Sequence, residues 1–311
     1  MRWMLKLTVL LLAAVGMSFV VEGAGAKPID IYILAGQSNA EGRNPWYEYA
    51  PHWHEGVSDV LIHTEPAASG DGWVPMSCCH AVSTCCGEVL EDIAGPYLSF
   101  GDYLNDRSGG TKIGIILVAQ GSSDLAVQWS PPSGAQWAEF VSDYTAAMSQ
   151  LASLGYTANV KGMAFLQGES DAQAEAPSLA YGANLNTFIA AVRAFTGIPD
   201  LKLVIWKMWG RFLVYRDNVR NAQAAVAAAD ENVVLLQADG APDGPLDQRG
   251  DNVHFGPSET GYIELGRMLA GEFSPLRHGD PVPVMPVPAL SIMFFSIAVY
   301  GSHRLRNWQD G

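Results

Sequence analysis

IDIYILAGQSN, Ile29–Asn39, is an apolar run that stops abruptly in a glycine followed by three polar residues. With one aspartate among the seven residues Ile29–Ala35, it is short, β-branched and apolar on both faces, and so reads as a buried strand. Strands buried on both faces belong to a parallel sheet covered by helices on each side. Four further runs of this kind follow: Ile113–Ala119, Gly162–Leu166, Leu201–Trp206 and Val233–Ala238. Between them lie stretches with helical spacing. One carries Trp137, Phe140, Val141, Tyr144, Met148 and Leu151, a second Leu185, Phe188, Ile189, Val192 and Phe195, and a last one Tyr262, Leu265 and Leu269. Strand–helix alternation over this length predicts an α/β fold, a three-layer α/β/α sandwich around a parallel sheet.

In such a sheet the ligand lies beyond the carboxyl ends of the strands. The unusual polar residues gather there. The first strand runs into Gly36-Gln37-Ser38-Asn39, the second into Gln120-Gly121-Ser122-Ser123, the third into Gln167-Gly168-Glu169-Ser170-Asp171. Asp251-Asn252-Val253-His254 precedes the last helix. A serine hydroxyl is a weak nucleophile and needs a histidine base held by a carboxylate. Ser38 is the candidate nucleophile, His254 the base and Asp251, three residues upstream, the carboxylate. The oxyanion of acyl transfer needs donors, for which the Ser38 N–H, the Gly121 N–H and the Gln167 amide are candidates. Glu169 is the alternative acid, or an anchor for its own loop; the three-residue spacing favours Asp251. Gln37, Asn39, Ser122 and Trp129 are candidate substrate contacts. Taken singly, a serine after a strand is usually a helix cap and a lone histidine is usually structural; the joint placement carries the reading.

ILAGQSNAEGR, the Gly121 segment with Trp129 after it, FLQGESDA and DNVHFGPSETGYIELG resemble the ordered blocks of SGNH-type hydrolases. They are most similar to the carbohydrate esterase branch of acetylxylan esterases and sialate O-acetylesterase-like proteins, over roughly residues 28–272. The resemblance implies a flavodoxin-like, five-stranded sheet. It also implies Ser38 as nucleophile, Gly121 and Gln167 in the oxyanion hole, Asp251–His254 completing the triad, and chemistry without metal or other cofactor. Its implied substrate is an acetylated oligo- or polysaccharide. The block before QGE often begins with Trp and His, where this chain has Phe165 and Leu166. The GQSNA turn lacks the last glycine of G-x-S-x-G, which argues against an α/β-hydrolase.

Residues 44–95 interrupt the alternation with a stretch read as having no helix or strand. It holds Trp46, Trp53 and Trp73, whose flat faces suit sugar rings, and all four cysteines. Cys78, Cys79, Cys85 and Cys86 fall within nine residues. In an exported protein they would be oxidised, as 78–85 with 79–86 or as 78–86 with 79–85. A zinc site would usually pair C-x-x-C units set further apart.

The two ends read as targeting segments flanking a domain over 27–277. Residues 1–26 have Arg2 and Lys6, an apolar run from Leu7 to Val21, and small residues Ala24-Gly25-Ala26, the pattern of a secretory signal. From residue 278 a Pro-rich spacer, the apolar segment Ala289–Tyr300 and basic His303, Arg304 and Arg306 resemble the sorting tails of some bacterial surface proteins. The expected location is outside the cytoplasm: secreted, periplasmic, or attached to the surface or membrane by this tail. Formal charge is −14, which makes nucleic acid a poor partner. Two other functions stay open on the sequence: a non-catalytic carbohydrate-binding protein on an esterase scaffold, and an esterase of lipid or thioester substrates.

Overall fold

The apolar runs become the strands of a seven-stranded sheet in a computed structural model. The structure describes residues 26–42, 44–45, 57–64, 72–77, 81–85, 88–210, 213–237, 253–256 and 261–274. In chain order the elements are β1 (Lys27–Gly36), α1 (Ser38–Glu41), β2 (Asn44–Pro45), β3 (Val57–Thr64), β4 (Val74–Met76), β5 (Ala81–Cys85) and β6 (Glu88–Ala94). Then follow α2 (Tyr97–Arg107), β7 (Lys112–Ala119), α3 (Ala135–Ser153), β8 (Tyr156–Leu166), α4 (Glu175–Thr196), β9 (Leu203–Trp206), α5 (Arg216–Ala229), β10 (Val233–Leu236) and α6 (Tyr262–Phe273).

The sheet order is β10-β9-β8-β1-β7-β3-β4. Within it, β7-β1-β8-β9-β10 is the expected flavodoxin-like set of parallel strands, with β1 between β7 and β8. Ile29, Ile31, Ile33, Leu34, Ile115 and Ile116 are wholly buried, as strands covered on both faces must be. Each such side chain contributes about 1.5–3 kcal/mol of hydrophobic stabilisation.

Aromatic residues fill both interfaces between sheet and helices. On one face Phe165 of β8 stacks on Phe188 of α4 with centroids 4.3 Å apart, and Trp137 of α3 meets Phe188 edge-on. On the other, Tyr32 of β1 packs edge-on against Phe100 of α2 and Phe273 of α6. Helices α2 and α6 approach so closely that a Cβ at Gly266 would lie 2.1 Å from Ser99 Oγ. Glycine is therefore required there, although it weakens a helix interior.

The stretch read as lacking regular structure does not lack it. β3 extends the sheet, pairing in parallel with β7, and β4 adds an antiparallel edge. A second sheet, β2-β6-β5, pairs Asn44 with Ala94 and so brings the two ends of the insertion together. The signal was hidden because VSDVLIHT breaks its apolar residues with Ser, Asp and His, so neither alternation nor a continuous run stands out. Residues 1–25, the tail from 275 onward, Trp46, Trp53, Asp251, Cys78, Cys79, Cys86 and the Cys85 side chain lie outside what the structure describes. No helix among the described residues is long and apolar enough to cross a membrane.

Candidate active site

Three central strands end level. Gly36 of β1 pairs with Ala119 of β7 on one side and Leu166 of β8 on the other. The next residue in each case is a glutamine, and backbone hydrogen bonds run from Gln37 N to Leu166 O (2.9 Å) and from Gln120 N to Gly36 O (3.1 Å). The three polar turns therefore begin side by side. Gly36 has φ +141°, and a Cβ there would lie 2.1 Å from Leu166 O, so only glycine lets the chain turn against β8. That turn starts α1 with Ser38 in its first position. His254 arrives from the far end of the chain, 216 residues away, and its Nε2 lies 2.8 Å from Ser38 Oγ. Among the described residues, no protein group accepts the N–H of Ser38 or of Gly121.

A buried polar frame surrounds this pair. Asn39 Nδ2 donates to Glu169 Oε1 (2.7 Å) and to Val253 O (3.0 Å), while its Oδ1 accepts from Tyr262 OH (3.0 Å). The Gln37 side chain fills the space between Ser123 O, Ser170 N and Glu169 Oε2. Asp171 accepts from Leu125 N (2.9 Å), Ala126 N (3.2 Å) and Gln167 Nε2 (2.6 Å), tying the loop after β7 to the turn after β8. Ser122 lies at the exposed tip of that loop with φ +62°, a conformation that non-glycine residues rarely hold outside functional turns.

Burial pushes the Glu169 carboxyl from 4.5 up to about 7, against the hydrogen bond from Asn39, which holds it down. Between those two values the folded protein keeps a proton that the unfolded chain has released. Glu169 therefore contributes stability that is full below about pH 4.5 and is lost as pH rises through about 7. Thermal melts across this window should show wild type losing ground steadily to Glu169→Gln, which has no proton to release. Parallel curves for the two proteins would exclude a proton held at Glu169.

The family described as "carbohydrate esterase, sialic acid-specific acetylesterase" matches residues 28–274. The chain belongs to this family. The esterase is accordingly a carboxylic ester hydrolase, and the family's reaction is removal of O-acetyl groups from carbohydrate. Three solved structures share its fold. A protein from Arabidopsis thaliana is 23% identical, with TM-score 0.63, over 78% of this chain and 97% of that one. NanS is 14% identical, with TM-score 0.57, over 79% of this chain and 97% of its own. A carbohydrate acetylesterase from Xanthomonas citri is 15% identical, with TM-score 0.53, over 79% of this chain and 56% of that one. No curated protein matches the chain by sequence.

The esterase's frame reassigns several candidate contacts. Both Nε2 protons of Gln167 are engaged, by Asp171 Oδ2 and by Ser123 O (3.2 Å), so this amide has none for an oxyanion. Asn39 and Gln37 are buried with their polar atoms turned into the frame rather than toward a ligand. Trp129 is wholly buried; its indole N–H donates to Ser123 Oγ (2.9 Å) and its ring packs on Phe165 and Phe188. Trp73 donates to Ala147 O of α3 (2.9 Å) and lies against Gly114, near the amino end of β7 and away from Ser38. Glu169 bonds Asn39 and not His254, which suits an anchor more than a triad acid. Two site-building residues escaped the sequence reading. Asp171 was visible in QGESD without a role, and Tyr262 passed for an apolar position of its helix.

Proposed function

We propose that the protein is a serine esterase that hydrolyses O-acetyl esters on carbohydrates through an acyl-serine intermediate. The observation that carries this reading is the 2.8 Å approach of His254 Nε2 to Ser38 Oγ, between residues that only the fold brings together. With the imidazole neutral, Nε2 takes the hydroxyl proton as Oγ forms a bond to the acetyl carbon. The carbonyl oxygen becomes an anion facing the N–H groups of Ser38 and Gly121. Collapse breaks the bond to the sugar oxygen, which receives the proton from Nε2. Water then attacks the acetyl-serine, giving one proton to His254, and acetate leaves as Ser38 Oγ recovers it. Asp251 is assigned to hold the Nδ1 side of the imidazole.

We further assign the enzyme to the outside of the cytoplasm, on the signal-like pattern of residues 1–26 and the clustered cysteines. A fluorophosphonate probe tests the chemistry directly. It should label wild type at Ser38 alone, located by peptide mass, and leave Ser38→Ala unlabelled. Labelling at another serine, or none, would overturn the assignment. Acetate release from acetylated glycans, set against esters of longer acyl chains, then separates sugar from lipid substrates.

A further inference from the structure

Asn39 touches three distant parts of the chain through one amide. It stands next to Ser38 in α1 and is wholly buried, so it cannot reach a ligand. One Nδ2 proton goes to the turn after β8, at Glu169, and the other to the carbonyl of Val253, the residue before His254. Because a backbone carbonyl only accepts, it fixes which end of the amide is the nitrogen. Tyr262 of α6 must then donate its hydroxyl to Oδ1, and its ring is held in place against Phe255 with centroids 5.9 Å apart. The nucleophile's neighbour and the base's neighbour are thus joined by a single hydrogen bond, and Glu169 and Tyr262 hold the rest of the same amide in place.

We propose that Asn39, oriented by Tyr262, is a positioning residue that holds the His254 loop at its working distance from Ser38. The inference rests on the serine mechanism above. Catalysis is sensitive to this because displacing a reacting group by about 1 Å can cost about a hundredfold in rate. Among the described residues, the ionisable groups bonded to Asn39 are Glu169, with Asp171 acting on it, and Tyr262 from α6; His254 follows Val253 in its loop, and Glu41 is buried in the same short helix.

The test uses Tyr262→Phe and Asn39→Asp in the full chain, with kcat, KM and pH profile on a small acetyl ester and melting temperature alongside. Tyr262→Phe keeps the ring and removes one donor. Its kcat should fall roughly tenfold with KM little changed, since only the reacting geometry is loosened. Asn39→Asp sets a second carboxyl against Glu169, and two such groups in contact share one proton. With both carboxyls protonated, the new one can donate to Val253 O while accepting from Glu169. Once the pair has lost its first proton, the one that remains is shared between the carboxyls, Val253 O faces a bare oxygen, and the loop is repelled. The kcat profile should therefore gain a falling alkaline limb that wild type lacks. Wild-type kcat in Tyr262→Phe, or losses that track melting temperature with an unchanged pH profile, would overturn the positioning role. If Asn39→Asp does not fold, the kcat–KM split of Tyr262→Phe decides alone. Activity retained in Ser38→Ala would instead overturn the serine mechanism, a separate outcome.

Discussion

Ser38→Ala and His254→Ala are each expected to lower acetate release by roughly 10³-fold or more, and the double variant by little beyond that. The reason lies in the single proton that the pair passes back and forth. Without Oγ there is no bond to the acetyl carbon, and without Nε2 the hydroxyl keeps its proton and stays a poor nucleophile. Either loss removes the same step, so the second has nothing left to remove. What survives is catalysis by the N–H groups of Ser38 and Gly121, which act on a bound ester attacked directly by water. Both side chains occupy the end of an otherwise intact frame, so melting temperatures should stay near wild type. Activity within tenfold of wild type in either single variant would end the serine reading; full additivity in the double variant would show that the two residues act in different steps.

The largest effect on stability is expected from Asp171→Ala. Its carboxylate satisfies the N–H groups of Leu125 and Ala126 and the amide of Gln167, at a residue with no exposed surface. Removing it strands two buried donors and one part-buried donor at once, a loss of about 3–5 kcal/mol. For a domain of this size that corresponds to a fall of roughly 6–20 °C in Tm. The loop after β7 carries Gly121, so activity measured well below the melting temperature should fall as well. Asp171→Asn keeps one acceptor oxygen and should cost distinctly less in denaturant unfolding. A loss within about 1 kcal/mol for Asp171→Ala would mean the loop is held by other contacts, such as Trp129 under Ser123.

The central strands were legible because burial on both faces leaves a plain mark: Ile29–Ala35 and Ile113–Ala119 fall inside β1 and β7. Helices α2 and α5 were not singled out. YLSFGDYLNDR carries a glycine and four polar residues in its interior, and RDNVRNAQAAVAAA buries only Val219, Gln223 and Val226, a stripe of few large apolar residues. Ser38 and His254 could be paired in the sequence because each stands at a matching place in the topology, and the fold sets them 2.8 Å apart. The polar residues around them could not be sorted in the same way. Gln37, Asn39 and Gln167 sit at strand ends where a ligand would lie, and composition does not tell whether an amide faces the ligand or the frame. That depends on partners such as Val253 O and Asp171, remote in sequence, which only the packed structure brings near.

The position of β1 also governs how the chain can be assembled. It is the first strand of the domain to leave the ribosome, yet its neighbours on both sides, β7 and β8, finish only at Ala119 and Leu166. Until then its apolar residues have no native pairing, and the nascent chain carries an exposed, aggregation-prone edge on each side. The contacts that complete the sheet span long stretches of sequence, which makes folding slow compared with a helical protein of the same size. The loop with His254 comes after all the strands, with α6 behind it. A chain that ends between β10 and this loop holds every strand of the sheet and Ser38, but on the serine mechanism proposed above it has no base and should release no acetate.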